Sequence, residues 1–127
     1  MSYTDFTSMP VWQNALRLLA LIYSITKKFP QEEKFGITAD IRRAANSVLH
    51  NLAEGYGRFE NKDKSRFYKI SPGTAYEIIS QVLASHLLQY LNSEERDELI
   101  DGYKQIIFEQ DCLIKSVEQR KTPISKI

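Results

Sequence analysis

Hydrophobic residues recur every three or four positions along most of this chain, and that period most constrains what it can fold into. In residues 39–58 one helical side carries apolar or small side chains: Ile41, Ala44, Ala45, Val48, Leu52 and Tyr56. The opposite side, which we name the polar stripe, carries hydrogen-bonding groups: Arg43, Ser47, His50, Asn51, Glu54 and Arg58. The pattern predicts an amphipathic helix, and its polar stripe is the strongest functional candidate in the chain.

The same period predicts four helices in all, with no strand pattern between them. They are expected at residues 9–29, 38–56, 61–91 and 94–120, followed by a short tail at 121–127. Because short loops join neighbouring helices in opposite directions, the sequence predicts an all-α fold, an antiparallel up-down-up-down four-helix bundle. A length of 127 residues fits one domain spanning 1–127.

Residues with capping side chains and glycines predict where the helices start and stop. Ser8, Thr38, Asn61 and Ser93 are the expected N-caps. Gly55 and Gly57 are expected to end the second helix, since glycine readily adopts the left-handed geometry common at helix C-termini.

The third helix contains a conflict at Pro72. Its expected apolar side comprises Phe67, Ile70, Thr74, Ala75, Ile78, Ile79, Val82, Leu83, Leu87 and Tyr90. A proline inside a helix costs roughly 3 kcal/mol, so we predict a kink or short break near Ser71. The alternative is that Ser71 caps a new helix in which Pro72 is the first residue.

Charge and cysteine content limit the cellular setting and the partners. A net charge of +1 means that any binding to nucleic acid must come from local patches. The single cysteine, Cys112, excludes an internal disulfide and suits a reducing cytoplasm. The start of the chain lacks a basic signal segment, and the apolar run 18–23 is far shorter than the roughly 20 residues of a membrane span. We therefore predict a cytoplasmic protein with no membrane partner.

No residue spacing specifies a reaction. A di-iron bundle needs Glu-x-x-His pairs, whereas Ser47 precedes His50 and Leu83 precedes His86 at that spacing. Neighbours on one helix such as Ser47, His50 and Glu54 offer no oxyanion hole. We predict no enzyme activity, catalytic residue, metal site, cofactor or small-molecule substrate.

Two charged stretches are candidate contact surfaces. The candidate nucleic-acid contacts are Arg42, Arg43, Arg58, Lys62, Arg66 and Lys69, interleaved with aromatic residues that could stack on bases. Residues 94–101 are acidic, and opposite patches on one chain favour self-association. The alternative for the basic stretch, and for the polar stripe of the second helix, is an ordinary solvated helix surface.

A polar cluster around the second helix is the candidate subunit contact: Arg43, Ser47, Asn51, Glu54, Gly55 and Glu77. Ser47 and Asn51 are poor helix formers that gain little in mid-helix unless their side chains have partners. Glu77 is the expected partner of Arg43 or Asn51, within or between chains. Aromatic residues beyond the needs of one thin bundle also favour self-association: Trp12, Tyr23, Phe67, Tyr76 and Tyr90.

The run IRRAANSVLHNLAEGYGR, preceded by VWQNA and KKFPQEEKFGI and followed by FYKISPGTAYEI, resembles the family of 23S rRNA intervening-sequence proteins. The most specific residues are Ser47, Asn51, Glu54 and Gly55, together with Gly73 and Glu77. Pro72 departs from the family pattern, as does Leu49, where the family commonly has proline.

The resemblance implies a small cytoplasmic four-helix bundle that is not known as an enzyme. The family is similar to a retroelement accessory protein that forms a homopentameric barrel and binds nucleic acid and a reverse transcriptase. We therefore expect a self-associating interaction or scaffold protein, assembled as a homo-oligomeric ring of five. The alternative is an accessory protein that binds RNA or DNA through the basic residues.

Overall fold

The computed structural model describes residues 5–120, so the predicted tail at 121–127 lies outside the described part. It contains the helices α1 (Pro10–Thr26), α2 (Ile37–Tyr56), α3 (Asn61–Leu87) and α4 (Ser93–Gln119). Two short 3-10 turns, Phe6–Ser8 and Gln31–Glu33, precede α1 and α2. No strand occurs between residues 5 and 120, which confirms the predicted all-α class and its four helices.

The helices share one apolar core. Each helix packs against its neighbours along the chain, and α1 also packs against α4. The predicted apolar side of α2 faces this core, where every member except the half-buried Tyr56 is buried. Burying one such aliphatic side chain contributes roughly 1.5–3 kcal/mol, so this side fixes how α2 is turned. Within residues 5–120, no helix has the length and apolar character that a membrane span requires.

Two glycines allow helices to approach closely. A methyl group added at Gly55 would lie 2.5 Å from the ring of Tyr68, and one at Gly102 would overlap the side chain of Leu18. The predicted left-handed ending of α2 is wrong, because no described glycine has positive φ and α2 continues through Gly55. Gly55 is needed for close packing, and Gly57 follows the helix with φ of -75°.

The predicted N-caps are also wrong, each by one or two residues. The observed N-caps are Met9, Gly36, Glu60 and Asn92. Of these, Asn92 forms a complete capping box with Glu95: its side chain accepts from the Glu95 amide at 2.8 Å, and the Glu95 carboxylate accepts from the Asn92 amide at 2.9 Å. A cap depends on backbone geometry as well as residue type, and a neighbouring residue can take the position.

Helix α3 runs without a break through Pro72, so the predicted break near Ser71 and the two-piece alternative are wrong. Ser71 is fully buried, and its hydroxyl donates to the carbonyl of Val48 in α2 at 3.3 Å. Packing on both α2 and α4 holds this segment helical despite the missing amide hydrogen of Pro72. The helix ends at Leu87 rather than at the predicted residue 91. Just beyond this end, Gln89 adopts a left-handed φ of 64°.

The predicted apolar side of α3 is only partly correct. Ala75, Ile78 and Val82 are buried, but other residues of that set face solvent: Ile70, Leu83 and Leu87. Small polar side chains of α3 are buried as well: Ser65, Ser71 and Ser85. The hydrophobic pattern of α3 therefore combines a core side with an exposed side.

Candidate functional site

The polar stripe of α2 lies on the surface, and most of its side chains are bonded within the chain. Arg43 pairs with Glu77 of α3 at 3.2 Å, which is the partner expected from the sequence. The Asn51 amide donates to the Ser47 carbonyl at 2.8 Å and to its hydroxyl at 3.1 Å. Because these polar groups are already bonded within the chain, a neighbouring subunit does not need to supply hydrogen-bond partners for them.

At the C-terminal end of the stripe, α2 and the start of α3 are joined by side chains. Glu54 pairs with Arg58 at 2.8 Å. Beneath them the ring of Tyr68 packs against Gly55, and burial raises the pKa of Tyr68 to about 12. Lys64 donates to the carbonyl of Tyr56 at 2.6 Å, which satisfies one of the free carbonyls at the end of α2. The predicted cluster thus connects α2 with α3, and only its Arg43, Glu54 and Glu77 are exposed.

The predicted basic residues do not form one free patch. Arg42 points toward α1, where it donates to Thr26 at 2.9 Å and stacks on the ring of Tyr23 at 4.5 Å. Arg66 pairs with Asp63 at 3.6 Å, and Lys69 pairs with Glu118. Lys62 is exposed and makes no ion pair with the rest of residues 5–120.

One feature of this region does suit a nucleic acid. The guanidinium groups of Arg58 and Arg66 both lie over the ring of Phe67, at 4.5 and 5.4 Å from its centre. Exposed ion pairs contribute only about 0–1 kcal/mol, so these arginines can exchange their carboxylates for phosphates at little cost. The arrangement holds two cations and an aromatic ring together at the start of α3.

The acidic stretch lies at the other end of the molecule. Asn61, at the start of α3, donates to the carbonyl of Arg120 at the end of α4, whereas His86, near the end of α3, contacts Ser93 at the start of α4. The basic start of α3 and the acidic start of α4 are therefore separated by the length of α3, about 40 Å for its 27 residues.

Exposed apolar side chains lie along the outer side of α3, and two of them, Leu83 and Leu87, were predicted to belong to its core-facing side. Tyr76, Leu83 and Leu87 are 61%, 51% and 82% exposed. Spacings of seven and four place them on one side of α3, which they share with Gly73, where nothing lies within 4 Å of an added methyl group. We name these residues the α3 outer stripe: Gly73, Tyr76, Leu83 and Leu87.

The aromatic residues predicted in excess of the core have mixed positions. Tyr90 donates to Glu33 at 2.8 Å and packs against Phe29, and Trp12 packs edge-on against Phe6. Tyr23 accepts from Asn46 at 3.0 Å, and Phe67 carries the two arginines. Tyr76 is the most exposed of this set. The sequence signal for the α3 outer stripe was the apolar pattern of α3, which is wider than the one side of a helix that can face the core.

Among residues 5–120, no group of three or more histidine, cysteine, aspartate or glutamate side chains is placed to hold a metal ion. Comparison with known proteins gives one family. The model of the 23S rRNA-intervening sequence protein family matches residues 7–108, well over half of the chain. No curated protein matches the chain.

Proposed function

Because the chain belongs to the 23S rRNA-intervening sequence protein family, we propose that it is a non-enzymatic interaction or scaffold protein that acts in the cytoplasm by self-association. The α3 outer stripe is the observation that carries this proposal. Exposed apolar side chains that cluster on one helix side usually mark a contact with another protein. An open glycine beside them lets a partner helix come close, because no side chain separates the two backbones.

The proposed subunit is a single antiparallel four-helix bundle, and the order of its contacts supports this. Asn14, near the start of α1, bonds to Glu109, whereas Lys28, just after the end of α1, bonds to Glu95, so α1 and α4 run in opposite directions along their contact. Arg43 meets Glu77 and Gly55 meets Tyr68, so α2 and α3 have the same reversed order. We propose that such bundles close into a homo-oligomeric ring, and the number five rests on the resemblance to the pentameric accessory protein.

Light scattering coupled to gel filtration tests self-association directly. At micromolar concentration we expect a particle of five times the 14.7 kDa chain mass. Introducing charge into the α3 outer stripe through Tyr76→Glu and Leu83→Glu should lower that mass, because each carboxylate would have to be buried without a partner. Phe35→Glu is the matched control, since Phe35 is 89% exposed and lies in the loop before α2.

A particle of one chain mass across the micromolar range would contradict the proposal. An unchanged mass in the double variant would instead show that another surface forms the contact. Circular dichroism of each variant distinguishes loss of assembly from loss of folding.

A second candidate function, binding of RNA or DNA, is favoured by the two arginines stacked on Phe67. We propose that single-stranded nucleic acid would replace the carboxylate partners of Arg58 and Arg66 with phosphates. The contact would include Lys62 and Lys69, while Arg42 and Arg43 lie farther along α2 and are engaged with α1 and with Glu77.

Fluorescence anisotropy with a single-stranded RNA at two salt concentrations tests this second candidate. Affinity should fall steeply with salt, and Arg58→Gln with Arg66→Gln should reduce the logarithmic slope by about 1.4, roughly 0.7 for each lost phosphate contact. Lys27→Gln is a suitable control, because Lys27 is exposed at the end of α1, next to Lys28, which pairs with Glu95 at the acidic start of α4. Absence of binding at low salt would eliminate this candidate.

A further inference from the structure

Unequal helix lengths leave a cleft at one end of the molecule. Helix α1 starts at Pro10 and its Asn14 bonds to Glu109, so α4 extends beyond the start of α1 to Gln119. Where α1 no longer covers the ends of α2, α3 and α4, a cleft of about 680 Å³ opens. Its apolar wall comprises Met9, Val11, Tyr68, Phe108 and Leu113. Phe108 is 63% exposed, a large aromatic side chain with no cover of its own.

Two cations lie at the rim of this cleft without an acidic partner. Lys64 and Arg120 both line it, and neither forms an ion pair with another described residue. Burial and the nearby charge of Arg120 both lower the pKa of Lys64, whose ammonium group donates to the Tyr56 carbonyl but pairs with no described carboxylate. The carboxylate that lines the cleft, Glu109, already accepts from Asn14 at 3.0 Å.

We propose that this cleft binds a small amphipathic anion, with its apolar body against Phe108 and Leu113 and its head group at Lys64 and Arg120. The volume lies within the range of about 300–1,000 Å³ typical of sites for small ligands, which are mostly apolar with a few placed polar groups. A carboxylate or a phosphate would neutralise both cations, and charge-assisted hydrogen bonds to them are roughly twice as strong as neutral ones.

The chain carries its own reporter for this site. Cys112 is the single cysteine, it is exposed, and it lines the cleft. A ligand in the cleft should therefore slow the alkylation of Cys112 by iodoacetamide. We would measure this rate in the full chain while titrating decanoate, decyl phosphate or decanol, which share an apolar body and differ in the head group.

Protection by decanoate or by decyl phosphate supports the proposal and tells which head group is preferred. Arg120→Gln should weaken protection by the anions about tenfold and change protection by decanol much less, since only the anions carry a charge opposite to that of the guanidinium. Lys64→Gln should act in the same direction. Lys115→Gln, in α4 but outside the cleft, should have no effect.

Three results would overturn the proposal. The first is that none of these compounds slows the alkylation. The second is that Arg120→Gln and Lys64→Gln weaken decanol and the anions equally, which would remove the cations from the site. The third is a ligand-free alkylation rate that falls as protein concentration rises, which would assign the cleft to a second copy of the chain.

Discussion

A methyl group at residue 55 would fall 2.5 Å from the ring of Tyr68, a distance at which one of the two helices must move. We expect Gly55→Ala to lower the free energy of unfolding by about 1–3 kcal/mol, the usual cost of overfilling a packed contact. The midpoint of urea unfolding, followed by circular dichroism, measures this change.

Gly57→Ala is the matched control, because a methyl group added at Gly57 would lie at ordinary contact distance, 3.6 Å from the Glu54 carbonyl. Gly57 follows α2 with φ of -75°, a geometry that alanine adopts without strain, so this variant should be at least as stable as the wild type. If Gly55→Ala were as stable as Gly57→Ala, the close contact between α2 and Tyr68 would not limit the spacing of the helices. The sequence identified Gly55 as important, but for ending α2 rather than for close packing. The ring of Tyr68 comes from another helix, and a local sequence pattern does not show such a contact.

Substitutions at the start of α4 test the capping box that Asn92 forms with Glu95. Asn92→Ala should lower the free energy of unfolding by about 1 kcal/mol, because the Glu95 amide loses its side-chain acceptor. Ser93→Ala should change it little, since Ser93 is the first residue of the helix and Asn92 occupies the cap. Thermal unfolding of the two variants side by side gives the difference, and a larger loss at Ser93 would restore the cap predicted from sequence.

Helix positions were predictable because burial of an apolar side follows directly from residue periodicity. The orientation of α3 about its own axis was not predictable, because its apolar pattern fits two different sides of the helix. Only contact with α2 and α4 selects Ala75, Ile78 and Val82 for the core. The predicted break at Pro72 was wrong because local helix propensity contributes less to the free energy of folding than packing against two neighbouring helices. In the candidate site, the pair of Arg43 with Glu77 was anticipated. Of the α3 outer stripe, Leu83 and Leu87 were assigned to the core-facing side, whereas Tyr76 was predicted to lie outside the core.

The buried tyrosines make the free energy of unfolding depend on pH in the alkaline range. Burial raises the pKa of Tyr68 from 10.0 to about 12 and raises that of Tyr103 as well. Between pH 10 and 12 the folded chain keeps a proton on Tyr68 that the unfolded chain loses, so the free energy of unfolding decreases as pH rises. Lys64, whose pKa is lowered, acts in the opposite direction near its own titration.

Urea unfolding of the wild-type chain and of Tyr68→Phe across this range measures the effect. Removing the hydroxyl should make the decline with pH shallower, by at most about 1.4 kcal/mol per pH unit for one titrating group. An equal decline in both proteins would assign it to other groups.

The placement of unlike charges at the two ends of α3 affects any assembly in which copies stand side by side with their helices along a common axis. Every basic helix start would then lie on one rim and every acidic helix start on the other, about 40 Å away. Such a particle would be polar, with two chemically different faces. A polyanion such as RNA would approach it from one side only, and two particles could stack front to back but would repel one another front to front.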